Sequence, residues 1–166
     1  MAKKITTEAI GSENWDKYYG AYGNMSEDIK ALINDPDDKD ATEKVYQGIN
    51  HQMSFYPAAY IVLPYLTDLL DRKIEAKDIE WAEYCLFNIA MTIASDNVFA
   101  RDKEHKINMT SDIKGNYKRC VKKVRKTAKR FYRTYKDQLE HKSESNASRL
   151  VFYGFGLPVY LFVAGM

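Results

Sequence analysis

Residues 111–141 read SDIKGNYKRCVKKVRKTAKRFYRTYKDQLEH. Ile113, Tyr117, Val121, Val124, Ala128, Phe131, Tyr135 and Leu139 follow one another at steps of 4, 4, 3, 4, 3, 4 and 4. That spacing gathers all eight on one face of a helix, whereas a strand would scatter them over both of its faces. Lys118, Lys122, Arg125, Lys126, Lys129, Arg133 and Lys136 occupy the other positions. The segment is therefore one long amphipathic helix with an apolar seam and a basic back. Gly115 weakens only its first turn.

The same period recurs toward the N-terminus. Ile79, Ala82, Leu86, Ile89 and Ile93 predict a helix over about 78–95, with Trp81 and Cys85 widening its stripe. Pro57 opens another, from Ala58 to about Leu70, and Pro64 inside it should kink it or shorten its first part. Ala41, Val45 and Ile49 mark a helix over about 37–50. Asn34-Asp35-Pro36-Asp37 is the turn before it. A first helix follows Ser26 as N-cap, with Glu27 and Asp28 in its first turn and Ile29, Leu32 and Ile33 on one face. The pattern breaks into a charged loop between Asp96 and Met109. No alternating run rivals these helices, so the predicted class is all-α.

Both ends of the chain differ from the middle. MAKKITTEAIGS, residues 1–12, is polar and aperiodic and reads as a flexible arm, leaving 13–166 as a single helical domain. After a polar break at Lys142–Asn146, Leu150–Met166 reads LVFYGFGLPVYLFVAGM, without a charge. Such a run touches the lower length limit for crossing a membrane, roughly 17 residues. Gly154, Gly156 and Pro158 interrupt its middle, so we read it as a buried sixth helix rather than a membrane anchor or an exposed partner groove.

A chain of 166 residues, 45% hydrophobic and 29% charged, has globular composition and is not disordered throughout. Its eight glycines and four prolines exclude collagen-like and linker-like chains. Cys85 and Cys120 both sit in helical patterns, as reduced buried thiols rather than a disulfide framework or a thiolate metal site. No charged-then-apolar leader opens the chain, which points to the cytoplasm. The net charge of +2 hides two opposed halves. Residues 1–100 carry 9 Lys/Arg against 17 Asp/Glu, and residues 101–166 carry 16 against 6. Between Lys114 and Lys136 there are eleven basic residues and no acid.

Motifs for catalysis are absent: there is no Gly-rich nucleotide loop, no nucleophile elbow and no paired-histidine zinc motif. We therefore read the chain as not an enzyme. Three histidines and two helical cysteines at unrelated spacings form no ligand set, so neither metal nor cofactor is expected. His105 and His141 stand alone in charged surroundings. His51, Gln52 and Tyr56 fall where two helices join, and could either tie down that junction or meet a partner.

One segment is more distinctive. Tyr19-Gly20-Ala21-Tyr22-Gly23, then Ile29-Lys30-Ala31-Leu32-Ile33, lead past the Asp35–Asp40 turn to Ile49-Asn50-His51-Gln52. Tyr56-Pro57-Ala58-Ala59 and Leu63-Pro64-Tyr65-Leu66 follow, then Leu69-Leu70. Over about residues 15–70 this resembles the N-terminal part of bacterial HEAT-repeat-like proteins. Members often carry Gly-Thr after His-Gln; Met53-Ser54 stand there in this chain, so no role of that pair is carried over. The resemblance implies about six helices stacked as antiparallel pairs and no assignable catalysis. It also implies a kinship with immunity proteins that bind and neutralise one cognate bacterial toxin.

Acids and tyrosines crowd the first half together, a combination suited to a basic protein partner. The expected partner-binding residues are Asp37, Asp38, Asp40, Tyr46, His51, Gln52 and Tyr56. The alternative is nucleic-acid binding through Lys118, Lys122, Arg125, Lys126, Lys129 and Arg133 on the basic helix. Most aromatics of that helix lie on its apolar seam and only Tyr132 falls clearly off it, which disfavours base stacking.

Overall fold

A computed structural model describes residues 10–52, 54–99 and 110–144. The architecture is all-α, with one two-stranded ribbon. In chain order the elements are α1 (Ser26–Asn34), α2 (Lys39–Ile49), β1 (Asn50–His51), β2 (Ser54–Phe55), α3 (Ala59–Glu75), α4 (Ile79–Phe99) and α5 (Ser111–Glu144). The expected tail helix over Leu150–Met166, His105 and the side chain of His141 lie outside the described residues. Ile10 is 1% exposed and accepts a hydrogen bond from the Trp15 indole at 3.0 Å. The folded body thus reaches back into the stretch read as an arm.

Helix α3 is the axis of the packing. Leu63, Leu66, Leu69 and Leu70 are wholly buried, as are Ala59 and Val62. Each leucine removed from water contributes about 1.5–3 kcal/mol. Helices α4 and α5 both pack on α3 and on each other, and α1 packs on α2. The α5 seam closes this core with Tyr117, Cys120, Val124, Ala128 and Phe131. Pro64 neither ends nor shortens α3, which continues to Glu75. The Thr67 hydroxyl donates to the Leu63 carbonyl at 2.7 Å and lies 2.8 Å from Cys120 Sγ, joining α3 to α5. Burial pushes the thiols of Cys85 and Cys120 up to about 11, so both are protonated at neutral pH.

Cross-ties between helices are made by buried phenols. Tyr65 donates to the Leu32 carbonyl at 2.8 Å and Tyr46 to the Cys85 carbonyl at 3.3 Å. Tyr60 and Tyr117 donate to the two carboxylate oxygens of Asp96 at 3.0 and 2.9 Å. Asp96 is only 6% exposed, so α4 carries its helical course, and a buried acid, past the point where the sequence pattern places a loop. Burial, then the Asp96 charge, hold both phenols well above their ordinary range.

Local boundaries have local causes. Asn24 Oδ1, rather than Ser26, satisfies the start of α1 by accepting the Ser26 amide at 2.8 Å; Met25 is the N-cap residue. Asp38 caps α2 by accepting the Ala41 amide at 3.0 Å. At the end of α3 the Asp78 amide returns to the Lys73 carbonyl at 3.0 Å, and Lys77 takes φ +58°. That left-handed position normally holds glycine. The ribbon pairs Asn50 with Phe55 and His51 with Ser54 in antiparallel register.

Two stability measurements test this description. Lys77→Gly should raise the unfolding free energy in urea by about 1 kcal/mol, because glycine has no Cβ to oppose φ +58°. Tyr117→Phe should lower it by roughly 1.5–3 kcal/mol, since it strips one donor from a buried carboxylate.

Candidate binding surface

Three distant parts of the chain converge on the turn Tyr19–Gly23. The Gly20 amide donates to the Gly23 carbonyl at 2.8 Å and the Gly23 amide donates back at 3.0 Å. Gly23 has φ +92°, a conformation that side chains resist. Gly20 is hemmed in: a Cβ there would lie 2.8 Å from the Gly48 carbonyl oxygen and run into Met25. That close approach lets the Ala21 amide donate to Gly48 O at 2.7 Å, fixing the turn to the end of α2. The Ala58 amide donates to Tyr19 O at 3.1 Å and the Tyr56 amide to Ile49 O at 3.1 Å. The Tyr-Gly-Ala-Tyr-Gly and Tyr-Pro-Ala stretches are thereby joined through the backbone.

This pinned turn holds two aromatic rings outward. Tyr22 is 72% exposed and Tyr19 38% exposed, the two exposed large hydrophobic side chains among the described residues. The Tyr22 hydroxyl lies 3.1 Å from His51 Nδ1, and the two rings meet edge-on with centroids 5.4 Å apart. Gln47 Oε1 lies 3.3 Å from the same nitrogen. With Nδ1 unprotonated the imidazole accepts from Tyr22; with Nδ1 protonated it donates to Gln47. Tyr56 stands edge-on to Tyr19 at 6.5 Å, and Gln52 is exposed at φ +49° where the ribbon turns. The result is a surface of apolar ring edges with hydrogen-bonding tips.

The seven expected partner-binding residues divide among three places. His51, Gln52 and Tyr56 belong to the surface just described, together with Tyr19, Tyr22 and Gln47, which the expected set omits. Asp37, Asp38 and Asp40 lie at the opposite end of α2, whose 11 residues span about 16 Å. Tyr46 is corrected: at 3% exposure it is a core residue whose hydroxyl is used within the fold, and it cannot anchor a partner.

Most acids of the turn are likewise engaged inside the chain. Asp38 is the α2 cap, and Asp35 Oδ1 accepts the Asp37 amide at 3.1 Å. Asp37 pairs with Lys73, whose ammonium holds that carboxyl below its usual range. The pair's contribution is therefore present above the ordinary carboxylate range and is lost as pH falls through the lowered value. Lys73 itself is 8% exposed and also faces the Trp81 ring at 5.5 Å. Asp40 is exposed, with no ion pair among the described residues.

Helix α5 has both paired and unpaired cations among the described residues. Lys123 bonds Asp68 at 2.8 Å and Asp71 at 2.7 Å, and Arg130 lies 3.7 Å from Asp71, so these two bind the helix to α3. Partial burial disfavours the Lys123 charge, but the two carboxylates outweigh it and hold the ammonium above its ordinary value. Lys118, Lys122, Arg125, Lys126, Lys129 and Arg133 are exposed and make no ion pair among the described residues.

Among the described residues no cluster of His, Cys, Asp or Glu could hold a metal ion, and no helix is long and apolar enough to cross a membrane. Comparison of the chain with protein-family models, with curated proteins and with solved structures finds no match.

Proposed function

We propose that the chain works by binding another protein through the surface around Tyr19, Tyr22, His51, Gln52 and Tyr56. The observation that carries this reading is the outward display of Tyr22 and Tyr19 on a turn fixed by backbone bonds to two other segments. A pre-ordered tyrosine loses little freedom on binding and brings both apolar area and a hydrogen-bonding tip. Asp40 and Glu43, both exposed on α2, add negative charge that would steer a basic partner.

Within that class, the finer reading follows the sequence resemblance. The chain is a cytoplasmic bacterial immunity protein of HEAT-like antiparallel helix pairs, with a sixth helix over Leu150–Met166. It neutralises one cognate toxin by occupying it, not by turnover. Tyr19, Gly20, Tyr22, Gly23 and the His51–Tyr56 segment, which carry the resemblance, meet in one surface, and that convergence supports the reading.

The test is co-expression with a toxin encoded beside this chain, followed by binding kinetics on the purified pair. The wild-type chain should restore growth and form a stable complex. Tyr19→Ala with Tyr22→Ala should weaken the complex by at least ~2 kcal/mol, chiefly through faster dissociation, with the variant still folded by circular dichroism. A wild-type chain that leaves the neighbouring toxin unbound contradicts the immunity reading. A double variant that binds as tightly as wild type contradicts the choice of surface.

A further inference from the structure

Helix α5 presents a second surface that the proposed protein interface does not use. On a helix of 3.6 residues per turn, Lys114, Lys118, Lys122, Arg125, Lys126, Lys129 and Arg133 fall within an arc of about 120°. The buried seam of Tyr117, Cys120, Val124, Ala128 and Phe131 is centred about 140° away on the same projection. All seven cations are exposed. Between Lys114 and Arg133 the only other residues on the arc are Gly115 and, at its edge, Tyr132. The strip runs about 28 Å along the axis at 1.5 Å per residue, with a cation roughly every 5 Å.

Nothing described in the chain neutralises it. The two acids of α3 nearest this helix, Asp68 and Asp71, are taken by Lys123 and Arg130 on the flank. No Asp or Glu lies between Lys114 and Lys136, and none follows Glu144 in the sequence. Seven cations along one helix face with no ion-pair partner among the described residues repel one another, and that repulsion is relieved by an external polyanion.

We propose that this strip docks on the phosphate backbone of double-helical nucleic acid, without reading base sequence. A duplex carries one fixed negative charge per about 1.7 Å of its axis, on two helical strands, so a basic face about 28 Å long can meet several phosphates where the strands cross it. An anionic membrane fits less well. Amphipathic helices that lie on lipid bury an apolar face beside their cations, and the apolar face of α5 is spent on α3 and α4. The described side chains of the strip are lysines and arginines, the residues that make phosphate contacts.

Fluorescence anisotropy of a labelled 20-base-pair duplex of arbitrary sequence, titrated with the full chain, tests this. Binding should be measurable at 50 mM salt, and four phosphate contacts would cost roughly 100-fold in affinity by 200 mM. Replacing Lys118, Lys122, Lys126 and Lys129 together by Gln should weaken binding at least about tenfold at 50 mM salt and flatten the salt dependence. Circular dichroism should show that variant folded. Lys17→Gln with Lys44→Gln, exposed lysines elsewhere, should leave affinity within about threefold. The proposal is overturned by absence of salt-sensitive duplex binding, or by equal loss in the control variant. Tighter binding to phosphatidylserine vesicles or to polyglutamate than to the duplex overturns it as well, in favour of a membrane or an acidic protein.

Discussion

The burial of α3 between α4 and α5 is the constraint from which the other features follow. A helix with Leu63, Leu66, Leu69 and Leu70 all excluded from water needs apolar cover on several sides. The α5 seam supplies one side, and once it is seated the rotation of α5 about its own axis is fixed. Lys123 and Arg130 then fall against Asp68 and Asp71, while Lys114, Lys118, Lys122, Arg125, Lys126, Lys129 and Arg133 face outward. The basic strip is therefore a consequence of core packing, read on the opposite side of the same helix. Salt bridges at the flank contribute little energy by themselves, since exposed pairs are worth about 0–1 kcal/mol; apolar burial decides the orientation.

Polar groups inside the core have a different consequence. Asp96 takes a proton donor from α3 and another from α5, so a single carboxylate joins three helices. Loss of either phenol removes a donor from this buried side chain, which makes the arrangement specific as well as stabilising. The N-terminal turn is held by backbone bonds instead, with Gly20 and Gly48 allowing two chain segments to come within hydrogen-bonding reach. Those bonds hold the turn while the Tyr22 and Tyr19 rings stay partly exposed, at 72% and 38%. One surface thus offers aromatic rings and another offers positive charge, and each is held in place for a separate physical reason.

Helix positions were legible because the 3.6-residue period is long and repeated in α5 and α4, where several turns report on one face. Pro64's missing amide and restricted φ argue for a kink or a shortened first part; the helix nevertheless runs unbroken from Ala59 to Glu75, where buried leucines offset the local cost. The ribbon at Asn50–Phe55 escapes notice because two residues per strand cannot show alternation. Tyr46 looks like a surface anchor because it adjoins acids in sequence, but its position beside Val45 widens the α2 seam into the core. Asp96 lies next to a charged stretch and gives no local hint of burial; its partners are 36 and 21 residues away. The binding surface was half legible: His51, Gln52 and Tyr56 stand out at a helix junction, whereas the role of Tyr19 and Tyr22 depends on a backbone bond from Gly48 that no local pattern announces.

The orientation of α5 is the central claim, since both the core and the basic strip rest on it. Single cysteines placed in turn along residues 117–131, each labelled with a maleimide in the folded chain, measure it directly. The native thiols, buried and with Cys85 and Cys120 pushed up to about 11, provide a slow background. Replacement at Lys118, Lys122, Arg125 and Lys129 should give fast labelling. Replacement at Tyr117, Val124 and Ala128 should give labelling slower by orders of magnitude, so that rates rise and fall with the helical period. Uniformly fast labelling, or a slow phase centred on the lysines, would contradict the account.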